Sequence, residues 1–237
     1  MVSALSAGIA EVVRPEDYDQ LFKRCYTESL PEHVIVSCSA VIARGLADRG
    51  DLATAFKNRG NAYDDTGDYA RALEDYDEAV RINPLDADAF NSRGTTYTAL
   101  ARYERAILDF DEAIRLNPTS PFAFSNRCFA RGSLNQFEQA LADCSEALRL
   151  KPNNPGAFGS RAFIHLKLRH YEAAIADYNL KLRATPDDAY ALFGRGFAKH
   201  MKGDLRGGDG DMVAAQALKP DIADDMAKIG VRLQDLR

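Results

Sequence analysis

FKNRGNAYDDTGDYARALEDYDEAVRINP, residues 56–84, reads as two short amphipathic helices joined by a turn. Phe56, Gly60 and Tyr63 recur at i, i+4 and i+7, which is one face of a helix. TGD at 66–68 breaks the pattern, and Tyr69, Ala72, Leu73, Tyr76, Ala79 and Val80 mark a second apolar face. Asn83-Pro84 ends that helix, because proline has no N–H to donate and restricts the residue before it. Small residues at Gly60 and Ala72 allow the two helices to approach closely. One residue does not fit. Arg59 lies on the apolar face, where a buried lone charge costs several kcal/mol.

The misfit returns at a fixed interval. Arg59, Arg93, Arg127, Arg161 and Arg195 step by 34, as do Pro84, Pro118, Pro152, Pro186 and Pro220. Ala72, Ala106, Ala140 and Ala174 keep the same step until Gly208, and Tyr69, Tyr103, Phe137 and Tyr171 do so until Leu205. Five units follow: 53–86, 87–120, 121–154, 155–188 and 189–222. Glycines in GDLRGGDGD, 203–211, predict a second helix that frays or starts late in the last unit, at about 1 kcal/mol per glycine relative to alanine. Residues 223–237 place Met226, Ile229, Leu233 and Leu236 on one helical face, a capping helix. Residues 16–52 read as a divergent helix pair, preceded by a segment 1–15 in which Val2, Leu5, Ile9 and Val12 have helical apolar spacing.

The 34-residue period and the Gly60–Tyr63–Ala72–Tyr76–Ala79–Pro84 pattern with its copies resemble the tetratricopeptide repeat. The resemblance covers residues 53–222 and implies an all-α solenoid, a right-handed superhelix of helix pairs closed by a C-terminal cap. The stretch CYTESLPEHVIVSCSAVIARG before the first unit resembles exported bacterial members of this family with an N-terminal cysteine pair. That likeness implies a Cys25–Cys38 disulfide between two short facing helices. It also implies a periplasmic or exported location if a signal peptide is missing from this chain. The N-terminus lacks a basic n-region, so otherwise the location is cytoplasmic. Cys128 falls in the small-residue column of Gly60 and Cys144 in the aromatic column of Tyr76, and both read as buried thiols packing as small hydrophobes.

A second column answers the arginines. Asp75, Asp109, Asp143, Asp177 and Asp211 keep the same step, which predicts an internal Arg–Asp ladder of bidentate pairs. With each charge supplied with a counter-charge, the arginine row reads as structural rather than as an anion site.

In the family, the ligand-facing side of the first helices binds extended peptides or partner helices. Carried onto this sequence, that side begins polar at Lys57, Asn58 and Asn61 and becomes apolar at Phe122, Asn126, Phe129, Phe163, Leu166, Tyr190, Phe193 and Phe197. Gly156, Gly159 and Gly194 leave space among those rings. Lys57 and Asn61 match the first pair of the family's carboxylate clamp, but Ser92, Phe122 and Asn126 do not match the remainder.

Composition narrows the classes further. The 237 residues are 46% hydrophobic and carry a formal net charge of −5 without a basic run, which argues against nucleic acid as a partner. No apolar stretch approaches a membrane span. His165 and His170 are five apart rather than four, the cysteines form no CxxC, and GDGD at 208–211 lacks the oxygen spacing of a calcium loop. No cofactor, metal or catalytic residue is expected. The chain reads as a non-enzymatic scaffold that binds a protein or peptide, with self-assembly into a homo-oligomer as the alternative.

Overall fold

The computed structural model describes residues 15–45 and 48–236. Among them there are thirteen α-helices, one 3₁₀ turn and no strand. They form two compact units, one ending at Leu85 and the other beginning at Asp86. In the first unit, α1 (Pro15–Thr27) and α2 (Pro31–Arg44) are followed by α3 (Arg49–Asp65) and α4 (Tyr69–Ile82). In the second, four hairpins follow in turn: α5 (Ala87–Ala99) with α6 (Tyr103–Leu116), α7 (Pro121–Ser133) with α8 (Phe137–Leu150), α9 (Pro155–Lys167) with α10 (Tyr171–Ala184), and α11 (Ala189–Met201) with α12 (Leu205–Leu218). Then come α13 (Ile222–Lys228) and a 3₁₀ turn (Leu233–Leu236).

Local chemistry sets the helix ends. Asp86, Ser120, Asn154 and Asp188, again 34 apart, each accept a backbone N–H as N-caps of α5, α7, α9 and α11. Asn154 also donates its amide to the Pro121 carbonyl at 3.3 Å, so one fully buried side chain caps a helix and ties it to the hairpin before. Between the helices of each hairpin, residues 67, 101, 135, 169 and 203 take a left-handed backbone. Glycine occupies two of these places. Ala101, at φ 54°, bears the steric cost of a Cβ there.

Each arginine of the series binds its aspartate in a fork. In the Arg59–Asp75, Arg93–Asp109, Arg127–Asp143, Arg161–Asp177 and Arg195–Asp211 pairs, Nε and Nη2 donate to the two carboxylate oxygens at 2.6–2.9 Å. Some also reach backwards with Nη1: Arg59 to Ser39, Arg127 to Asp111 and Arg195 to Asn179. Phe56, Phe90, Phe124 and Phe158, three residues before the arginines, sit 5.5–5.9 Å from the guanidinium carbons. Their rings lie within cation–π reach of the ladder.

One residue further on, the two helices of four of the hairpins come close together. A Cβ on Gly60 would stand 2.9 Å from the Tyr76 ring, and one on Gly94 2.7 Å from the Phe110 ring. At the equivalent place in the third hairpin, Cys128 and Cys144 form a buried disulfide with Cα atoms 5.4 Å apart. This corrects the reading of these two residues as separate thiols. Cys25 and Cys38 form a second disulfide, between α1 and α2, with a Cα separation of 4.8 Å.

Two further expectations change. Helix α12 begins in register at Leu205, capped by Asp204, and does not start late. Its glycine is required there. A Cβ on Gly208 would meet the Gly196 carbonyl oxygen at 2.8 Å, and one on Gly196 the Gly208 carbonyl at the same distance. The C-terminal segment is not one continuous helix either. Helix α13 ends at Lys228, and Gly230, at φ +90°, turns the chain before the 3₁₀ turn. Ile222, Met226 and Val231 are buried in the same core as Phe193 and Phe197.

Candidate functional site

The second unit holds a cleft of about 540 Å³. Three rings make its floor. Tyr103 at the start of α6 meets Phe129 on α7 edge-on at 6.4 Å, and Phe129 meets Phe163 on α9 at 5.4 Å. The space expected beside the glycines is taken: a Cβ on Gly156 would meet Ser125 Oγ at 3.1 Å, one on Gly159 the aliphatic arm of Lys181 at 2.7 Å, and one on Gly194 the Tyr178 hydroxyl, so these glycines accommodate neighbouring side chains. Asn126 on α7 donates to Asn91 Oδ1 at 3.1 Å and Thr95 Oγ1 at 3.3 Å, forming a polar margin along α5 and α7. The opposite wall comes from the C-terminal segment: Asp225, Met226, Lys228 and Ile229.

Asp225 fixes that wall. It accepts hydrogen bonds from Lys228 at 2.8 Å and from the Tyr190 hydroxyl at 3.0 Å, and pairs with Lys219 at 3.1 Å. The hydrogen bonds from Lys228, Lys219 and Tyr190 hold its pKa down to about 2. Burial and then the Asp225 hydrogen bond push the Tyr190 phenol up. Tyr178, buried at the base of the cleft, is pushed up by desolvation.

The sequence-derived stripe divides here. Asn126, Phe129, Phe163 and Tyr190 line one cleft. Phe163 is 3% exposed and belongs to the core, so it backs the cleft behind Phe129. Phe122 stands outside the cleft, 55% exposed, with Lys151 Nζ 4.8 Å above its ring. Leu166, Phe193 and Phe197 belong to the same core as Phe163, a correction with a clear cause. Ile222, Met226 and Val231 of the C-terminal segment occupy the same core, so these side chains are enclosed rather than offered to a ligand. The residues that sequence reasoning missed are Tyr103, Lys181, Asp225, Lys228 and Ile229. Tyr103 stood in the aromatic column, but no periodic signal marks the other four as facing this space.

The histidines bring no chemistry together. The rings of His165 and His170 are 5.8 Å apart, His165 Nδ1 is buried without a partner, and burial lowers the His165 pKa. His200 lies 3.1 Å from Asp209. Among the described residues, no group of three or more His, Cys, Asp or Glu side chains is placed to hold a metal ion. No described helix is long and apolar enough to cross a membrane. Val2, Leu5, Ile9 and Val12 lie outside the described residues.

The tetratricopeptide repeat family model matches residues 57–121 and 130–189, more than half of the chain. The chain belongs to this family. Its repeats have counterparts among solved structures. A tetratricopeptide repeat protein from Parabacteroides merdae superposes with a TM-score of 0.67 at 19% identity, covering 93% of this chain and 96% of that one. Pseudomonas aeruginosa pilF does so with a TM-score of 0.66 at 20% identity, covering 90% and 96%. YrrB, a tetratricopeptide protein with an unusual peptide-binding site, gives 0.52 at 21% identity, covering 81% and 97%. At these identities the likeness is one of fold. No curated protein sequence matches the chain.

Proposed function

We propose that this repeat protein is a non-catalytic interaction module whose cleft takes an apolar peptide or the apolar face of an amphipathic helix. The observation that carries the reading is the aromatic floor of Tyr103, Phe129 and Phe163. Beside it, Asn126 and Lys181 place polar groups along the lining. Clefts of a few hundred Å³ lined by apolar groups and a few placed polar groups are the usual form of a ligand site. Rigid aromatic anchors of this kind carry most of an interface's energy. The peptide-binding site of YrrB, a protein of similar fold, is consistent with such a use.

The test is selection of a random peptide library on the purified chain, followed by affinity measurement on Phe129→Ala. Apolar peptides should be enriched and should lose most of their affinity on that substitution, with helicity unchanged. Selected peptides that bind Phe129→Ala as well as the parent would refute the cleft. Light scattering resolves the alternative: a dimer that dissociates on Phe129→Ala would put a second copy in the cleft instead of a foreign peptide.

We also infer that the chain folds in an oxidising compartment. All four cysteines are paired, and structural disulfides persist where thiols are not kept reduced. Non-reducing mass analysis of protein from its native source should show four fewer hydrogens than the reduced chain. Four free thiols there would refute it.

A further inference from the structure

The cleft carries a charge bias opposite to that of the chain. The whole sequence has a formal charge of −5. The charged side chains lining the cleft are Lys181, Lys228 and Asp225. All three have partners: Lys181 pairs with Asp188 at 2.9 Å, and Asp225 takes Lys228, Lys219 and the Tyr190 hydroxyl. The one anion of the cleft is therefore fully engaged.

A further cation stands at the edge. Lys167 is the last residue of α9, and its Nζ lies 5.6 Å from the centre of the Phe163 ring. It also lies beside the turn at Gly230, next to Ile229 of the cleft wall. Among the described residues, no carboxylate pairs with Lys167, and burial alone lowers its pKa from the ordinary lysine value. The ring face compensates the ammonium only in part. A charge-assisted hydrogen bond to a carboxylate is stronger than a cation–π contact of this kind. The site thus offers an apolar floor, at its edge a half-buried cation with no carboxylate partner among the described residues, and an anion that is already engaged.

We propose that the partner is an acidic amphipathic segment, its apolar side chains seated on Tyr103 and Phe129 and a carboxylate paired with Lys167. This rests on the reading of the cleft as a peptide site and adds the chemistry that selects the peptide. Lys167 acts as a specificity-determining residue. A like charge on the segment would face a half-buried ammonium, so the same group that attracts one partner rejects its basic counterpart. The other role open to Lys167 is local, since a cation in the last turn of a helix meets the negative end of its dipole. That role would change stability and would not discriminate between peptides.

Three labelled synthetic peptides separate these outcomes, each about 14 residues long to present helical turns. They share one apolar face and carry Glu, Gln or Lys at the flanking positions. Anisotropy titrations of the full chain should rank them Glu, Gln, Lys, with the Glu peptide about tenfold tighter than the Gln peptide at low salt. Lys167→Met should bring the Glu peptide down to the affinity of the Gln peptide, while Phe129→Ala weakens all three. Equal binding of the Glu and Gln peptides to the parent, or a difference that survives Lys167→Met, overturns the role of Lys167 and leaves the cleft standing. Failure of all three to bind overturns both readings.

Discussion

Two neighbouring hairpins meet the same packing problem with different chemistry. In α5–α6, the helices cross where Gly94 faces Phe110, and the ring occupies the space a Cβ would need. In α7–α8, the equivalent residues are Cys128 and Cys144, and a covalent bond spans the crossing. Helices α3 and α4 repeat the first solution with Gly60 and Tyr76. Helices α11 and α12 use a third, Gly196 against the Gly208 backbone and Met212. One residue earlier, the Arg–Asp fork is the same in all five hairpins. A crossing filled by apolar groups needs a summed volume, and several pairs supply it. A buried guanidinium needs a carboxylate in one geometry, and no other pair supplies that.

The sharpest way to break this comparison is to remove one ladder charge. Arg161→Ala leaves Asp177 buried without its guanidinium and should cost about 3–5 kcal/mol in urea unfolding. Arg127→Ala should cost less, because Arg131 already donates to Asp143 at 2.7 Å and remains. Equal losses at the two sites would mean that the second cation is irrelevant.

The covalent crossing comes next. Replacing both Cys128 and Cys144 by serine should lose about 3 kcal/mol from the freed loop. Importing the neighbouring solution, Cys128→Gly with Cys144→Phe, should recover a clear part of that loss. If it recovers nothing, the volume argument is wrong. Gly94→Ala tests the same idea from the other side. Overpacking against Phe110 should cost about 1–3 kcal/mol, and Gly196→Ala should cost more than Gly94→Ala because the group it meets is backbone.

Smaller effects sharpen the picture at the ends of the ladder. Burial pushes the Asp211 carboxyl up, but hydrogen bonds from Arg195 and Lys199 outweigh it and hold its pKa below the ordinary value. A depressed folded-state pKa contributes stability above the unfolded value, about 3.9, and that contribution is lost as pH falls through the folded pKa. Lys199→Met should therefore shift the acid loss of stability to higher pH in melting curves taken across that range. Ala101→Gly should stabilise by about 0.5–1 kcal/mol, since glycine accepts the left-handed backbone at that turn without strain.

The repeats were legible because each hairpin is built from local periodicities of one short stretch. Arg59 and Asp75 recur at a fixed offset, and a charge on an apolar face has few explanations. The same offset of 16 separates Cys128 from Cys144. Cys128 stands in a column of small residues and Cys144 in one of large rings, and only the packing of the two helices shows that these columns face each other. The cleft was legible only in part. Phe129, Phe163 and Phe197 share a column, yet Phe163 and Phe197 are both in the core and only Phe129 is partly open. Residues 222–231 pack into that same core, lie outside the periodic pattern, and turn at Gly230 where the apolar face looked continuous. A segment with no repeat to copy leaves no column from which its packing can be read.

Hydrogen exchange of the full chain, with and without a saturating apolar peptide from the library selection, tests the interaction reading most directly. Slowed exchange concentrated on α7, α9 and residues 225–229 is the predicted result. Slowed exchange confined to the outer helices α8, α10 and α12, or no change at saturation, would contradict it.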